Sequence, residues 1–406
     1  ATRRPGDFAG KPIALFFGFT HCPDVCPTAL TVAGAALDML PDDVEKPRTI
    51  LISVDPERDT PELLASYVES NGFPEDMTGL TGSNADIEAA AQVLKGVAVV
   101  TPVLESPLLN EALGFRLRVK AEPLQITGSF KFRGAYNAIS RIPEADRAAG
   151  VVAYSSGNHA QGVAAAANML GLPAVILMPK DAPKTKVELT RAWGAEVATF
   201  DRFTESREEM GLKLQKERGA TLIKPYDAPL VMAGQGTLAA EAVRKCLDDD
   251  WTPDIFISPA GGGGLIAGCS TAVRHLSPTT DIYSSEPAGF DDTARSLKAG
   301  ERLSNDPEAR SICDALLAPE PGELTFQVNS ETLTGGLCVT DDEAMTAMAV
   351  AFKYLKLVVE PGGAVALAAA VTGKVDCKGK NVLVVCSGGN ADADIYAEAL
   401  SRPLPF

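Results

Sequence analysis

From about residue 84 to the C-terminus, apolar runs that read as buried strands alternate with amphipathic stretches that read as helices. Such alternation confines a chain to parallel sheets covered by helices, so the fold class is α/β. The runs are "GVVAYSS", "PAVILMP", "AEVATF", "TLIKPY", "DIFISPA", "DIYSSEP" and "NVLVVCSGG". A shorter β-α-β pattern precedes them: a strand over residues 11–18, a helix over "TVAGAALDML" and a second strand over "TILISVD". The character changes near "GLTGSNAD", which places a boundary at about residue 82. At 406 residues the chain has room for two or three cores.

Composition narrows the partners. No apolar run is long enough for a membrane helix, so none is expected. A net charge of -16 repels phosphate backbones, and no nucleic-acid partner is expected. Eight cysteines, scattered among apolar residues apart from Cys22 and Cys26, read as buried free thiols of a reducing compartment.

Four stretches carry chemistry. "TGSFKFRG" presents Lys131 between Phe130 and Phe132, either as a surface lysine or as a desolvated amine able to form a Schiff base. "SSGNHAQG", residues 155–162, opens a small-residue helix whose N-terminus favours a carboxylate or phosphate, or is simply serine-capped. The run Gly261, Gly262, Gly263 and Gly264 between a strand and a helix brings bare amides around a phosphate, or is a turn. "CSGGN" ends the last strand and aims Ser387 at the same crevice, or caps the last helix.

With "TPVLES", "AGQGT" and "LVVEPGGAVALAA", these stretches make residues 84–406 resemble the fold-type II (tryptophan synthase β-like) pyridoxal-phosphate enzymes, within them the serine/threonine dehydratase and serine racemase group. The resemblance implies a large domain of about 83–142 and 231–406 and a small one of about 143–230. It implies that Lys131 carries pyridoxal 5'-phosphate and removes the α-proton, that Gly261 to Gly264 hold the phosphate, Asn158 the ring hydroxyl and Ser387 the ring nitrogen. The loop Ser155, Ser156, Gly157, Asn158 and His159 receives the substrate carboxylate, and Ser156 matches the serine that faces the lysine in racemases. The implied reaction removes water from L-threonine or L-serine, giving a 2-keto acid and ammonia. Alternatives are 3-hydroxyaspartate dehydration and serine racemisation. A cytoplasmic homodimer is implied as well. "EPAGFDD" resembles a loop in which Glu286, Asp292 and the carbonyl of Phe290 hold Mg2+ or Mn2+, against a solvated acidic loop as the plain alternative.

The head differs in kind. "GKPIALFFGFTHCPDVCPTAL" and "ISVDPERDTPE" resemble the Sco/SenC copper chaperones, whose fold is thioredoxin-like and whose members sit at a membrane in the periplasm. That resemblance gives Cys22 and Cys26 to copper, but the chain leaves the pattern near "GLTG", before a third ligand. The head therefore reads as a partial domain, outside the working site.

Overall fold

A computed structural model describes residues 12–22, 25–41, 44, 46–53, 59, 61–70, 72–74, 77–80, 85–155, 157–182, 184–201 and 204–404. The chain forms two compact units, Ala1–Ala85 and Asp86–Phe406. In the first, strands β1 (Ile13–Gly18), β2 (Arg48–Ser53) and β3 (Thr78–Leu80) pair in parallel in that order, with helices Val25–Asp38 and Pro61–Val68. Among its described residues Leu30, Leu51, Leu64 and Met77 form the buried apolar cluster, while Leu15, Val32 and Met39 are exposed. The strand β3 falls where the sequence reading places a boundary. Three residues are too short for a period-2 signal.

The second unit holds two sheets. One contains β4 (Val103–Glu105), β5 (Arg116–Ala121), β10 (Ile255–Pro259), β11 (Asp281–Pro287), β12 (Gly335–Val339) and β13 (Asn381–Cys386), in the order β12-β11-β10-β13-β5-β4. The other contains β6 (Val151–Tyr154), β7 (Ala174–Pro179), β8 (Glu196–Phe200) and β9 (Thr221–Leu222), in the order β8-β7-β6-β9. Pairing is parallel except between β4 and β5. Both faces of β10 and β13 are apolar, with Ile255, Ile257, Val382 and Val384 in one cluster and Phe256, Leu383 and Val385 in another. That two-sided burial is why these strands read as continuous apolar runs.

Three strands of the second unit, β4, β5 and β12, have no counterpart among the runs read from the sequence. The case of β5, "RLRVKA", is instructive, because three cations in six residues argue against a buried strand. Burial is nevertheless nearly complete at its end: Lys120 is 1% exposed, and its Nζ donates to Thr101 O (2.8 Å) and Glu241 Oε2 (2.6 Å). Beside it Arg133 donates to both oxygens of Glu122 and both of Glu241 at 2.7–2.9 Å. Partners spread over 121 positions of sequence neutralise the cations, and no local pattern reveals them.

None of the eight cysteines is in a disulfide. Two depart from the expected burial: Cys338 is exposed and Cys22 half-buried. Among the described residues no helix is long and apolar enough to cross a membrane.

Candidate active site

The carboxyl ends of β6, β10 and β13 open onto one cleft of about 390 Å³. This is where a parallel α/β sheet places its ligands, since the loops leave the strands there and the following helices point their N-termini inward. Lys131, Ser155, Gly157, Asn158, His159, the four glycines 261–264 and Ser387 all line it. The first and last of these stretches are stitched together directly. The Phe130 N–H donates to Ser387 O (3.0 Å), the Gly389 N–H donates to Gly128 O (2.8 Å), and Ser129 and Gly388 form an antiparallel bridge. Lys131 and Ser387 are thus fixed to the same wall by backbone bonds.

Lys131 is the first residue of the helix Lys131–Ile139, and its Nζ donates to Pro225 O at 2.8 Å. Desolvation lowers the amine to about 8, and the positive end of a helix is itself a poor place for an ammonium. The amine is therefore readily neutral, as a nucleophile or base must be. Nearby, His159 is buried; its Nε2 faces Ile223 O at 3.0 Å, which makes Nε2 the protonated nitrogen and leaves Nδ1 without a partner. Burial and the charge of Lys131 pull this imidazole down to about 3, so it is neutral at any physiological pH.

The glycine run fits a phosphate group. Among the described residues, no protein acceptor takes the N–H groups of Gly261, Gly262, Gly263 or Gly264, and the helix Gly264–Leu276 starts there. Gly263 has φ +87°, a left-handed conformation that side chains disfavour. Any side chain at Gly262 would run into the ring of Tyr226, and one at Gly263 would lie 2.8 Å from Thr325 Oγ1. The cradle is held open from behind, where Thr325 Oγ1 donates to Gly262 O (2.7 Å). A reactive amine, four uncommitted amides and the Ser387 hydroxyl on one cleft are the parts pyridoxal phosphate needs: an anchor for its aldehyde, a seat for its phosphate and a partner for its ring.

The comparison with known proteins agrees. The family described as "Pyridoxal-phosphate dependent enzyme" matches residues 94–388. The chain belongs to the pyridoxal-phosphate dependent enzyme family. It is 44% identical over 315 residues to an L-threo-3-hydroxyaspartate ammonia-lyase of Pseudomonas sp, covering 78% of this chain and 97% of that one. To the serine racemase of Schizosaccharomyces pombe it is 39% identical, covering 78% and 97%. Among solved structures, a threonine deaminase of T.th. superposes with a TM-score of 0.72 at 42% identity, covering 77% of this chain and 99% of that one. Residues 1–104 match the SCO1/SenC family. That match runs past residue 80, where the sequence reading ends the resemblance. Physically, Ile87 and Ala90 pack into a core cluster of the second unit and Val103 pairs with Lys120 of β5, so these residues are built into the pyridoxal-phosphate enzyme.

Other polar residues in or behind this pyridoxal-phosphate enzyme's cleft have no signal in the sequence. Lys186, 4% exposed, reaches the cleft from the helix Lys184–Ala192 and donates to Asp314 Oδ2 at 2.5 Å. Glu360, 1% exposed, accepts from Asn158 Nδ2 at 2.5 Å, and Asn390 Nδ2 donates to Asn158 Oδ1 at 2.8 Å. Arg207 also lines the cleft, half-buried, with Nε 2.6 Å from Glu208 Oε1. Only their convergence in space marks them, although "EPGG" and "SGGN" already lay within quoted stretches. The Ser155 hydroxyl accepts from the Gly157 N–H (3.1 Å). Ser156 lies outside the described residues.

The expected cation loop is less open than its sequence suggests. Glu286 is fully buried, and its two oxygens accept the N–H groups of Thr293 (2.9 Å) and Ala294 (2.8 Å). Asp292 Oδ1 accepts from Asn305 Nδ2 (2.6 Å), whereas Oδ2 is buried without a partner among the described residues. Phe290 is buried in the turn between them. Burial and the charge of Asp292 push Glu286 well above the usual carboxylate range, and burial raises Asp292 to about 6. In the head, Cys22 Sγ accepts from the Cys26 N–H at 3.3 Å, and burial followed by the neighbouring Cys22 raises the Cys26 thiol, which opposes thiolate formation. Among the described residues no group of three or more His, Cys, Asp or Glu side chains is placed to hold a metal ion.

Proposed function

We propose that the second unit removes water from a small 3-hydroxy amino acid, giving a 2-keto acid and ammonia. The observation that carries this is the desolvated Lys131 amine on the same cleft as the uncommitted glycine amides. In this reading Lys131 holds pyridoxal phosphate, Gly261 to Gly264 hold its phosphate, Asn158 its ring hydroxyl and Ser387 its ring nitrogen. Bound there, the cofactor supplies the electron sink that makes an α-proton acidic. Lys131, free once the substrate amine has taken its place and neutral above about pH 8, takes that proton. The Ser155–His159 loop, at the N-terminus of the helix Asn158–Met169, orients the substrate carboxylate. A hydroxyl at Ser387 does not enforce protonation of the ring nitrogen, which favours loss of the β-hydroxyl over transamination. Loss of the α-proton and β-hydroxyl amounts to one water, and hydrolysis of the enamine product releases ammonia.

Among substrates, a second carboxylate is favoured by Arg207. Lys186 is already matched by Asp314 and Glu360, whereas among the described residues Arg207 pairs with its exposed neighbour Glu208 alone. Among the relatives that act on hydroxyaspartate are the Pseudomonas enzyme and one of Saccharomyces cerevisiae at 40% identity. The deciding experiment is a keto-acid and ammonia assay over threonine, serine and 3-hydroxyaspartate with a chiral readout. No keto acid from any of them refutes the proposal, and inversion without ammonia release makes the enzyme a racemase. The same assay on a protein beginning at Ser83, and on Cys22→Ser with Cys26→Ser, is expected to give unchanged turnover. Both sheets and every cleft residue named belong to the second unit. Loss of turnover in either, with cofactor bound, would place the head in the mechanism. A cytoplasmic homodimer remains part of this reading on family grounds, checked by sedimentation and fractionation.

We also infer a divalent cation at Glu286 and Asp292, because two buried carboxylates with raised proton affinity and one unpartnered oxygen are relieved by a hard cation. The sign follows from linkage. A carboxyl whose folded pKa is raised loses stability as pH rises through it, so chelated protein is expected to melt progressively lower as pH rises through about 6, and Mg2+ to reverse the loss. An unchanged melting temperature on chelation, with no metal by elemental analysis, defeats the inference.

A further inference from the structure

Behind the cleft runs a chain of hydrogen bonds with a fixed sense. Asn390 Nδ2 donates to both Thr127 O (2.9 Å) and Asn158 Oδ1 (2.8 Å), and Asn158 Nδ2 donates to Glu360 Oε1 (2.5 Å). A backbone carbonyl and an ionised carboxylate only accept, so an acceptor stands at each end and the two amides between them have one permitted orientation. Side-chain amides have no orientation of their own; the ends of the chain decide it. Asn158 is the member that lines the cleft.

The carboxylate end depends on its surroundings. Glu360 is 1% exposed, and among the described residues its Oε2 has no hydrogen-bond partner. Lys186 Nζ lies 3.8 Å from that oxygen and 2.5 Å from Asp314 Oδ2, so one buried ammonium is shared between two carboxylates. Gly157 lies against the Lys186 stem, and any side chain at Gly388 would overlap Glu360 Oε1, so glycines on both sides make room for the arrangement. The groups acting on Glu360 are Lys186 from the helix Lys184–Ala192, Asp314 from the short helix Asp314–Leu316, Asn158 from the helix Asn158–Met169 and Asp392 ahead of the last helix.

We propose that Lys186 and Glu360 form a positioning pair that sets the orientation of the Asn158 amide, so that the hydrogen bonding offered to the cleft depends on the ionisation of Glu360. The proposal rests on the dehydratase reading above and adds residues to it. A neutral Glu360 must place its proton somewhere. Oε2 has no acceptor, and Oε1 meets an N–H, so the proton finds a partner only if the Asn158 amide turns over. Turning it sets the Nδ2 of Asn158 against the Nδ2 of Asn390, which Thr127 O holds in place. Protonation therefore sets the two amides in conflict. Burial raises Glu360 to about 7, Lys186 opposing that rise and Asp314 adding to it, so the switch falls in the physiological range.

The test uses substitutions that move one carboxyl in opposite directions. Lys186→Met removes the opposing cation and is expected to move the acid limb of kcat/KM to higher pH. Asp314→Asn leaves the ammonium to Glu360 alone and is expected to move it to lower pH. Glu360→Gln is expected to lower kcat/KM about tenfold, the scale of a lost charge-assisted hydrogen bond, and to remove the limb. In parallel, the full-length protein without cofactor, labelled with ¹³C at its glutamate carboxyls, is titrated by NMR. One resonance with a midpoint near 7 is expected, absent in Glu360→Gln and shifted in the same two directions in the other variants. A purely structural salt bridge would lower activity without moving either midpoint. Failure of the resonance to titrate or to shift overturns the proposal, as do shifts that kcat/KM does not follow. If the resonance behaves as expected but the wild type releases no keto acid, the dehydratase reading fails, and the catalytic half of the proposal fails with it.

Discussion

Lys131→Ala is expected to lower turnover by about three orders of magnitude or more, the scale of losing a covalent anchor and a general base together. It is also expected to abolish the visible absorbance of protein-bound pyridoxal phosphate. Both effects follow from one atom. Nζ is the amine on the cleft that burial holds near neutrality, at about 8, and its hydrogen bond to Pro225 O keeps it beside the glycine cradle. Lys186, the other buried lysine there, cannot substitute, because Asp314 and Glu360 hold it as an ammonium: burial alone pulls its amine down, and the two carboxylates more than offset this. Spectra and initial rates on purified variant check the prediction. A variant that kept both colour and turnover would remove Lys131 from the mechanism.

Arg133→Met is expected to cost about 3–5 kcal/mol of unfolding free energy, the range for removing one member of a buried ion pair. Arg133 and Glu122 are both fully buried, with two hydrogen bonds between them and further bonds from Arg133 to Glu241. Burial alone would push the Glu122 carboxyl up, but Arg133, with Lys120 and Thr101, holds it below its ordinary value. A depressed carboxyl adds stability above its unfolded pKa and loses it as pH falls through the folded one. The deficit of the variant should therefore be largest near neutral pH and shrink on acidification. Glu122→Gln combined with Arg133→Met should be more stable than Arg133→Met alone, since it removes the orphaned charge. Urea denaturation across pH measures both. A loss under about 1 kcal/mol at pH 7, or a double variant no better than the single, would mean that Lys120 and water already compensate the site.

The network has a consequence for the active site as well. Arg133 lies two positions from Lys131 on one helix, so the pair anchors the start of the helix that presents the reactive amine. Nothing local in "SFKFRG" tells which of its two cations is the one proposed for catalysis and which is held in a buried ion pair. Both follow aromatic residues, and both are removed from bulk water. The difference lies in their partners: carboxylates around Arg133, a neutral carbonyl near Lys131.

Much of the second unit was legible without coordinates, for a local reason. Strands buried on both faces have to be apolar throughout, so β6, β7, β10 and β13 announce themselves. Glycines are demanded where backbone must approach a ligand, so the run 261–264 stands out, and the turn from strand to helix places it at the carboxyl edge. What the tertiary structure alone decided is the electrostatics. Lys120, Arg133, Lys186 and Glu360 look like surface residues in the sequence, and each is buried because its counter-charge arrives from a distant segment. The sense of the Asn158 amide and the proton affinity of Glu360 share this origin. Hydrophobic burial is written residue by residue along a strand, whereas a buried charge is tolerated only as part of a pair, and pairs exist only once the chain has folded.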